Sequence, residues 1–173
     1  MKMALLLSLL CCAARGGPPV CSAPPAATLL DIEMCWADYY ARAYSVPLEF
    51  VQAVIDVESA WQPYVISPKG AAGLMQLMPA TAFTFGVTNR FRIEENIRGG
   101  VAYLAYLTRQ FEGDFRLVAA AYYAGETRIK KLGLTCADAD IFRYVHAVQL
   151  FYQKRQMVAK TTAVYAAKGA EHP

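Results

Sequence analysis

Val51, Val54 and Ile55 recur at helical spacing, and the next position on that stripe is a glutamate, Glu58. A carboxyl group on an apolar stripe loses the hydration of its charged form, so its pKa rises and it keeps a proton near neutral pH. A general acid for glycosidic cleavage needs that property. Glu49, Gln52 and Asp56 fall on the opposite face of the same stretch, as a solvated face would. The periodicity leaves a second reading open, in which Glu58 merely ends its helix and turns out to water. The run Ser67-Pro68-Lys69-Gly70-Ala71-Ala72-Gly73 then leads into Leu74-Met75-Gln76-Leu77-Met78-Pro79. Its glycines allow a tight backbone that a ligand can approach closely. Gln76 carries a donor and an acceptor suited to a sugar amide or hydroxyl. Met75 and Met78 offer adaptable apolar contact, although such methionines are more often core than ligand-facing.

The elements that must position these residues read as helices. Thr28 can cap a first helix running through Leu30, Met34, Ala37 and Ala41. Ser45 precedes Pro47, a favourable first-turn residue for a second helix that runs to about Ser59. A loop rich in Pro and Gly follows, then a short helix opened by Pro79 and ended at Gly86. A longer helix spans about 94–111, with Ile97, Val101, Leu104, Leu107 and Phe111 on one face. Asp114 caps the next, which Gly125 breaks. The last begins near Asp138 and turns Ile141, Val145, Val148 and Tyr152 inward. No stretch alternates apolar and polar residues for long, so the class is all-α, with a short hairpin as the only strand content.

Hydrophobic residues make up 56% of the 173 and charged ones 18%, which excludes a disordered chain and suits one well-filled domain. A net charge of +3 without a long basic run does not favour nucleic acid as a partner. Residues 1–14 read as a secretory leader, with Lys2, an apolar run and Ala13-Ala14 at its end. Lipidation at Cys11, Cys12 or Cys21 is the lesser alternative, because Leu10, Cys11 and Val20 suit the preceding position poorly. Residues 15–27 read as a Pro/Gly-rich linker, 28–158 as the domain and 159–173 as a loose tail. Cys35 and Cys136 remain in the domain, and both a disulfide and two buried thiols stay open. A pair would tie the first helix to the loop before the last one. His146 and His172 stand alone, so no metal site is expected. Asp31, Glu33 and Asp38 could supply a second carboxylate, but their place on an N-terminal helix suits solvated surface or dipole compensation better. Trp36 and Trp61 could stack on sugar or pack inside, Trp61 being the more open.

Glu58-Ser59, followed by Ala71-Ala72-Gly73-Leu74-Met75-Gln76-Leu77-Met78-Pro79-Ala80-Thr81-Ala82, resembles the signature of the soluble lytic transglycosylases. Asn96-Ile97 with Gly100 and Tyr103-Leu104, then Ala120-Ala121-Tyr122-Tyr123-Ala124-Gly125, then Arg143-Tyr144-Val145, are similar to three further family blocks in the same order. The resemblance covers about 31–153 and implies a lysozyme-like helical domain, of the goose-type lysozyme and soluble transglycosylase kind, with a saccharide cleft. It implies an enzyme that cuts peptidoglycan glycan strands between N-acetylmuramic acid and N-acetylglucosamine, with Glu58 as sole acid and base and a 1,6-anhydro product. No metal or other cofactor enters that chemistry. It implies that Ser67 bonds near Glu58, that Met75 and Gln76 line the subsites, that Tyr122 flanks the cleft and that Tyr144 orients Glu58. Tyr123 stands where the family usually has Asn, and Asp140 where it often has Glu. A monomer is expected, exported to the periplasm or cell envelope, where it could act alone or beside a secretion apparatus or other membrane-associated partner. A lysozyme-like hydrolase and a non-catalytic glycan-binding scaffold are the alternatives.

Overall fold

Thr28 opens the first helix by a reciprocal cap. Its side chain accepts from the Asp31 N–H, while the Asp31 carboxylate accepts from the Thr28 N–H at 2.7 Å. The resulting α1 spans Leu29–Ala43 in the computed structural model, which describes Cys21 and residues 27–135 and 138–169. It is followed by α2 (Leu48–Glu58), α3 (Pro79–Thr84), α4 (Ile93–Gln110), α5 (Phe115–Ala124), α6 (Glu126–Leu132), a 3-10 turn (Gly133–Thr135) and α7 (Ala139–Gly169). Among the described residues the only β pairing is a pair of isolated antiparallel bridges, Ile66↔Ala72 and Ala72↔Leu77. The expected all-α class therefore holds.

The core forms where α2 is held between α1 and α7, with α4 and α5 closing it. Phe50, Val51, Val54 and Ile55 are all but fully buried, as their stripe predicts. Phe50 meets Phe115 and Tyr152 with ring centroids 4.5 and 5.5 Å apart, which ties α2 to α5 and α7. Asp114 caps α5 as expected, accepting from the Arg116 N–H, and Gly125 ends it at φ 91°.

Several expectations need correcting. Pro47 is the N-cap of α2, one position outside the helix. Ala37 and Ala41 do face inward on α1, but they are joined there by Glu33 and Tyr40, while Leu30 is exposed. Gln52 and Asp56 are not solvated either: Gln52 is buried, and Asp56 is held against α7. The short helix α6 was not foreseen, because ETRIKKL carries one apolar anchor, Ile129, and too few residues to show a period. Residues 159–173 are expected as a loose tail, yet 159–169 continue α7, with 159–167 exposed. Cys35 is bonded to Cys21, with Cα atoms 5.9 Å apart, and so cannot pair with Cys136. The same bond takes Cys21 out of consideration for lipidation. Cys136, the leader at 1–14 and most of the linker lie outside the described residues.

Glu33 is 1% exposed, and its Oε1 has no hydrogen-bond partner. Burial raises its pKa from 4.5 to about 7. The folded state thus prefers the protonated acid, so this residue's contribution is intact below the unfolded pKa and is lost as pH rises through the folded one. Glu33→Met should match the wild type near pH 4 and exceed it by about 2–3 kcal/mol at pH 8. Urea denaturation at the two pH values measures the difference, and equal stability at pH 8 would refute the assignment.

Candidate active site

Glu58 is the last helical residue of α2, half-buried where the stripe runs out. Its Oε1 accepts a hydrogen bond from the Tyr144 hydroxyl at 2.6 Å, across a sequence separation of 86 residues. Burial raises the carboxyl pKa from 4.5 to about 7, and the Tyr144 bond opposes that rise by favouring the charged form. The negative end of the helix dipole acts in the same direction as burial. A proton is thus held at neutral pH by a group that solvent still reaches.

Tyr144 is itself buried, and its phenol is pushed well above 10, first by desolvation and then by the Glu58 charge. Tyr123 stacks on it, with centroids 4.7 Å apart at 23°, and leaves 42% of its own surface open. On the neighbouring side Tyr122 donates from its hydroxyl to the Met75 carbonyl at 2.8 Å and packs on Tyr103. The Glu58 charge also disfavours its phenolate, which places Tyr122 within electrostatic reach of the carboxyl. One tyrosine of α7 thus bonds the carboxyl, one of α5 lies within its electrostatic reach, and a second of α5 stacks on the bonded ring.

The loop after α2 is held by buried amides. Asn96, 1% exposed, donates to the Ala72 and Arg90 carbonyls at 3.0 and 2.7 Å and accepts from the Met75 N–H at 2.7 Å. Gly73 lies at φ 81°, and a Cβ there would come within 2.3 Å of Asn96 Nδ2, so no larger residue fits. Arg90 donates to the Gly70 and Leu77 carbonyls. The motif that carries Asn96 was visible in the sequence. Its role as the peg of this loop was not, because it depends on three carbonyl and amide partners brought from elsewhere.

The expected site residues are placed unevenly. Glu58, Tyr122, Tyr123 and Tyr144 converge. Met75 does not line an open subsite, since its side chain is fully buried beneath Gly100, where an added Cβ would meet its sulfur at 2.3 Å. Both Gln76 donors are spent on the Val65 and Gly73 carbonyls, at 3.0 and 2.8 Å, so its amide mainly braces the loop. The Ser67 hydroxyl accepts from the Ala71 N–H at 3.0 Å, which also serves the loop. Asp140 is exposed on the first turn of α7 and pairs with Arg143, one turn away from Tyr144. Trp36 stacks against Tyr40 in the α1 cluster, whereas Trp61 sits at the end of α2 beside Asp56. Among the described residues no group of His, Cys, Asp or Glu could hold a metal ion.

Residues 35–143 match the profile of the transglycosylase SLT domain. The chain belongs to the transglycosylase SLT domain family. It is 35% identical over 120 residues to the soluble lytic murein transglycosylase of Salmonella typhimurium, covering 63% of this chain and 19% of that one. It is 48% identical over 131 residues to the membrane-bound lytic murein transglycosylase F of Desulfosudis oleivorans, covering 68% and 28%. Among solved structures, the lytic transglycosylase Slt of Pseudomonas aeruginosa superposes with a TM-score of 0.65 at 28% identity, over 72% of this chain and 24% of that one. The chain thus spans about a fifth to a quarter of these relatives' lengths, and the SLT domain is the part they share. The fold is the lysozyme-like helical one of that family.

Tyr144→Phe should raise the Glu58 pKa above its wild-type value near 7, because the lost bond stabilised the carboxylate. Carbon-13 NMR titration of the glutamate carboxyls reads this, with Glu33→Gln as the background so that only Glu58 titrates near 7. A fall on removing the hydroxyl would contradict the assigned direction.

Proposed function

We propose that this chain is a lytic transglycosylase that cleaves the β-1,4 bond between N-acetylmuramic acid and N-acetylglucosamine in peptidoglycan, with Glu58 as sole general acid and base. The observation that carries the reading is a solvent-reached carboxyl with pKa near 7 that, among the described residues, has a phenol as its hydrogen-bond partner. In the first step the Glu58 proton passes to the glycosidic oxygen as the bond from the anomeric carbon breaks. In the second the Glu58 carboxylate takes the proton of the muramoyl C6 hydroxyl, whose oxygen bonds to the anomeric carbon and closes a 1,6-anhydro ring. Glu58 is then protonated again, and no water is consumed. The Tyr144 phenol steadies the carboxylate between the two transfers.

The two-carboxylate scheme of hydrolytic glycosidases needs a second acid to hold water or attack sugar. Asp56, the nearest acid along α2, is committed to Arg155 and Trp61. Glu33 is enclosed. Both facts favour the water-free route over a lysozyme-like hydrolase. The open ring of Tyr123 is a suitable platform for a sugar face and Tyr122 a wall beside it, while Ser67, Gln76 and Asp140 would serve the cleft through the loop and the start of α7. The Cys21–Cys35 disulfide suits an oxidising, extracytoplasmic compartment, where peptidoglycan lies and to which a leader at 1–14 would deliver the domain.

Mass spectrometry of fragments released from purified peptidoglycan tests the reading. Wild type should give anhydro ends with no reducing sugar, and Glu58→Gln should lose about 10³-fold in rate with its fold intact. Reducing ends from the wild type would make it a hydrolase, and wall binding without release would make it a binding protein.

A further inference from the structure

The chain leaves α2 through two consecutive residues in the left-handed region, Ala60 at φ 49° and Trp61 at φ 62°. Neither is glycine, so each is sterically costly and persists only if its surroundings impose it. The turn begins two residues after Glu58, at a helix end with no basic residue in its last turn, where the Ser59 N–H and hydroxyl both donate to the Ile55 carbonyl, at 3.1 and 3.4 Å. Those bonds serve one carbonyl of the last turn and leave the strained turn at Ala60 and Trp61 to be held by other contacts.

What holds it is a three-residue cluster. The Trp61 indole N–H donates to Asp56 Oδ1 at 2.7 Å. Arg155 reaches the same carboxylate with two bonds, Nε to Oδ2 at 3.0 Å and Nη2 to Oδ1 at 2.7 Å. Its guanidinium also lies over the Trp61 ring, 5.8 Å from the centroid. The Asp56 side chain is 10% exposed and that of Arg155 28%, so the fork works largely out of water. Arg155 sits on α7 about three turns beyond Tyr144. It also lies past residue 143, where the family match ends.

We propose that the Arg155–Asp56–Trp61 cluster is a positioning clamp for the general acid. It grips α2 at Asp56 and the following turn at Trp61, and Glu58 lies between the two gripped points. Tyr144 then sets the carboxyl from the other end of the same helix. The distal half of α7 thereby becomes part of what makes the site work, although it touches no substrate. This rests on the reading of Glu58 as acid and base.

The sequence has two tryptophans, so in a Trp36→Phe parent the fluorescence comes from Trp61. In that parent Arg155→Met keeps an aliphatic stem and removes the fork. It should shift Trp61 emission to the red and lower kcat on purified peptidoglycan about tenfold, with KM within about twofold. Arg155→Lys keeps the charge without the fork and should recover less than about half of the loss. A red shift with unchanged kcat, a loss confined to KM, or full rescue by Lys would overturn the clamp. Should Arg155→Met fail to fold, Asp56→Asn measured in the same way decides it by the same criteria. An inactive wild type would instead defeat the assignment of Glu58, and the clamp's catalytic role with it. An active wild type with an equally active Arg155→Met defeats the clamp alone.

Discussion

A carboxyl group can keep its proton at neutral pH only if protein displaces water from it, and it can be useful only if some water or ligand still reaches it. Glu58 meets both demands by standing at the end of an apolar stripe, where α2 passes from core to surface. The cost of its charged form is moderated by one hydrogen bond from Tyr144. That donor is far away in sequence, so α7 must return across α2 to deliver it. Phe50 against Phe115 and Tyr152 supplies the packing that makes the return specific. The most extensive helix contact in the fold, α2 with α7, thus serves the smallest contact in the site.

A second constraint acts on the loop that follows. Its backbone turns too sharply to satisfy its own amides through helix bonds, and buried amides without partners are costly. Asn96, Arg90 and Gln76 take up the carbonyls of Ala72, Arg90, Gly70, Leu77, Val65 and Gly73. Polar residues that look free to meet a ligand are therefore occupied in shaping the wall a ligand would meet. The ring of Tyr123, open to solvent and stacked on Tyr144, is left to present an aromatic surface beside the carboxyl's donor.

The helices around the site were legible because period and caps speak directly of local geometry. Thr28, Asp114 and Gly125 mark their helix ends, and the stripe through Val51, Val54 and Ile55 led to Glu58. The errors about which residues of α1 and α2 face inward share one cause, which is that a helical wheel assumes a single buried face. Helix α2 has two neighbours, so Gln52 and Asp56 face protein where one neighbour would have left them in water. On α1 the face is set by contact with α4, and Glu33 goes inward although its charge argues for the surface. Met75 and Gln76 were expected at the subsites from the family resemblance, yet the core claims the Met75 side chain and the loop's own carbonyls claim the Gln76 amide. The partner of Cys35 could not be read from spacing, since distance along the chain does not reveal which cysteine the backbone brings near.

Glu33 and Glu58 show that a raised pKa does not by itself mark a catalytic acid. Burial brings both to about 7. Glu33 is enclosed, with an unpartnered oxygen and no donor to stabilise its anion, so its ionisation can only weaken the fold. Glu58 is reached by solvent and has a phenol that lowers the cost of the carboxylate without removing the preference for the acid. Both protonation states are then accessible within a narrow pH range, which a group that must give and retake a proton in one cycle requires. What separates the two residues is access and a single well-placed donor, and α7 is the element that supplies that donor.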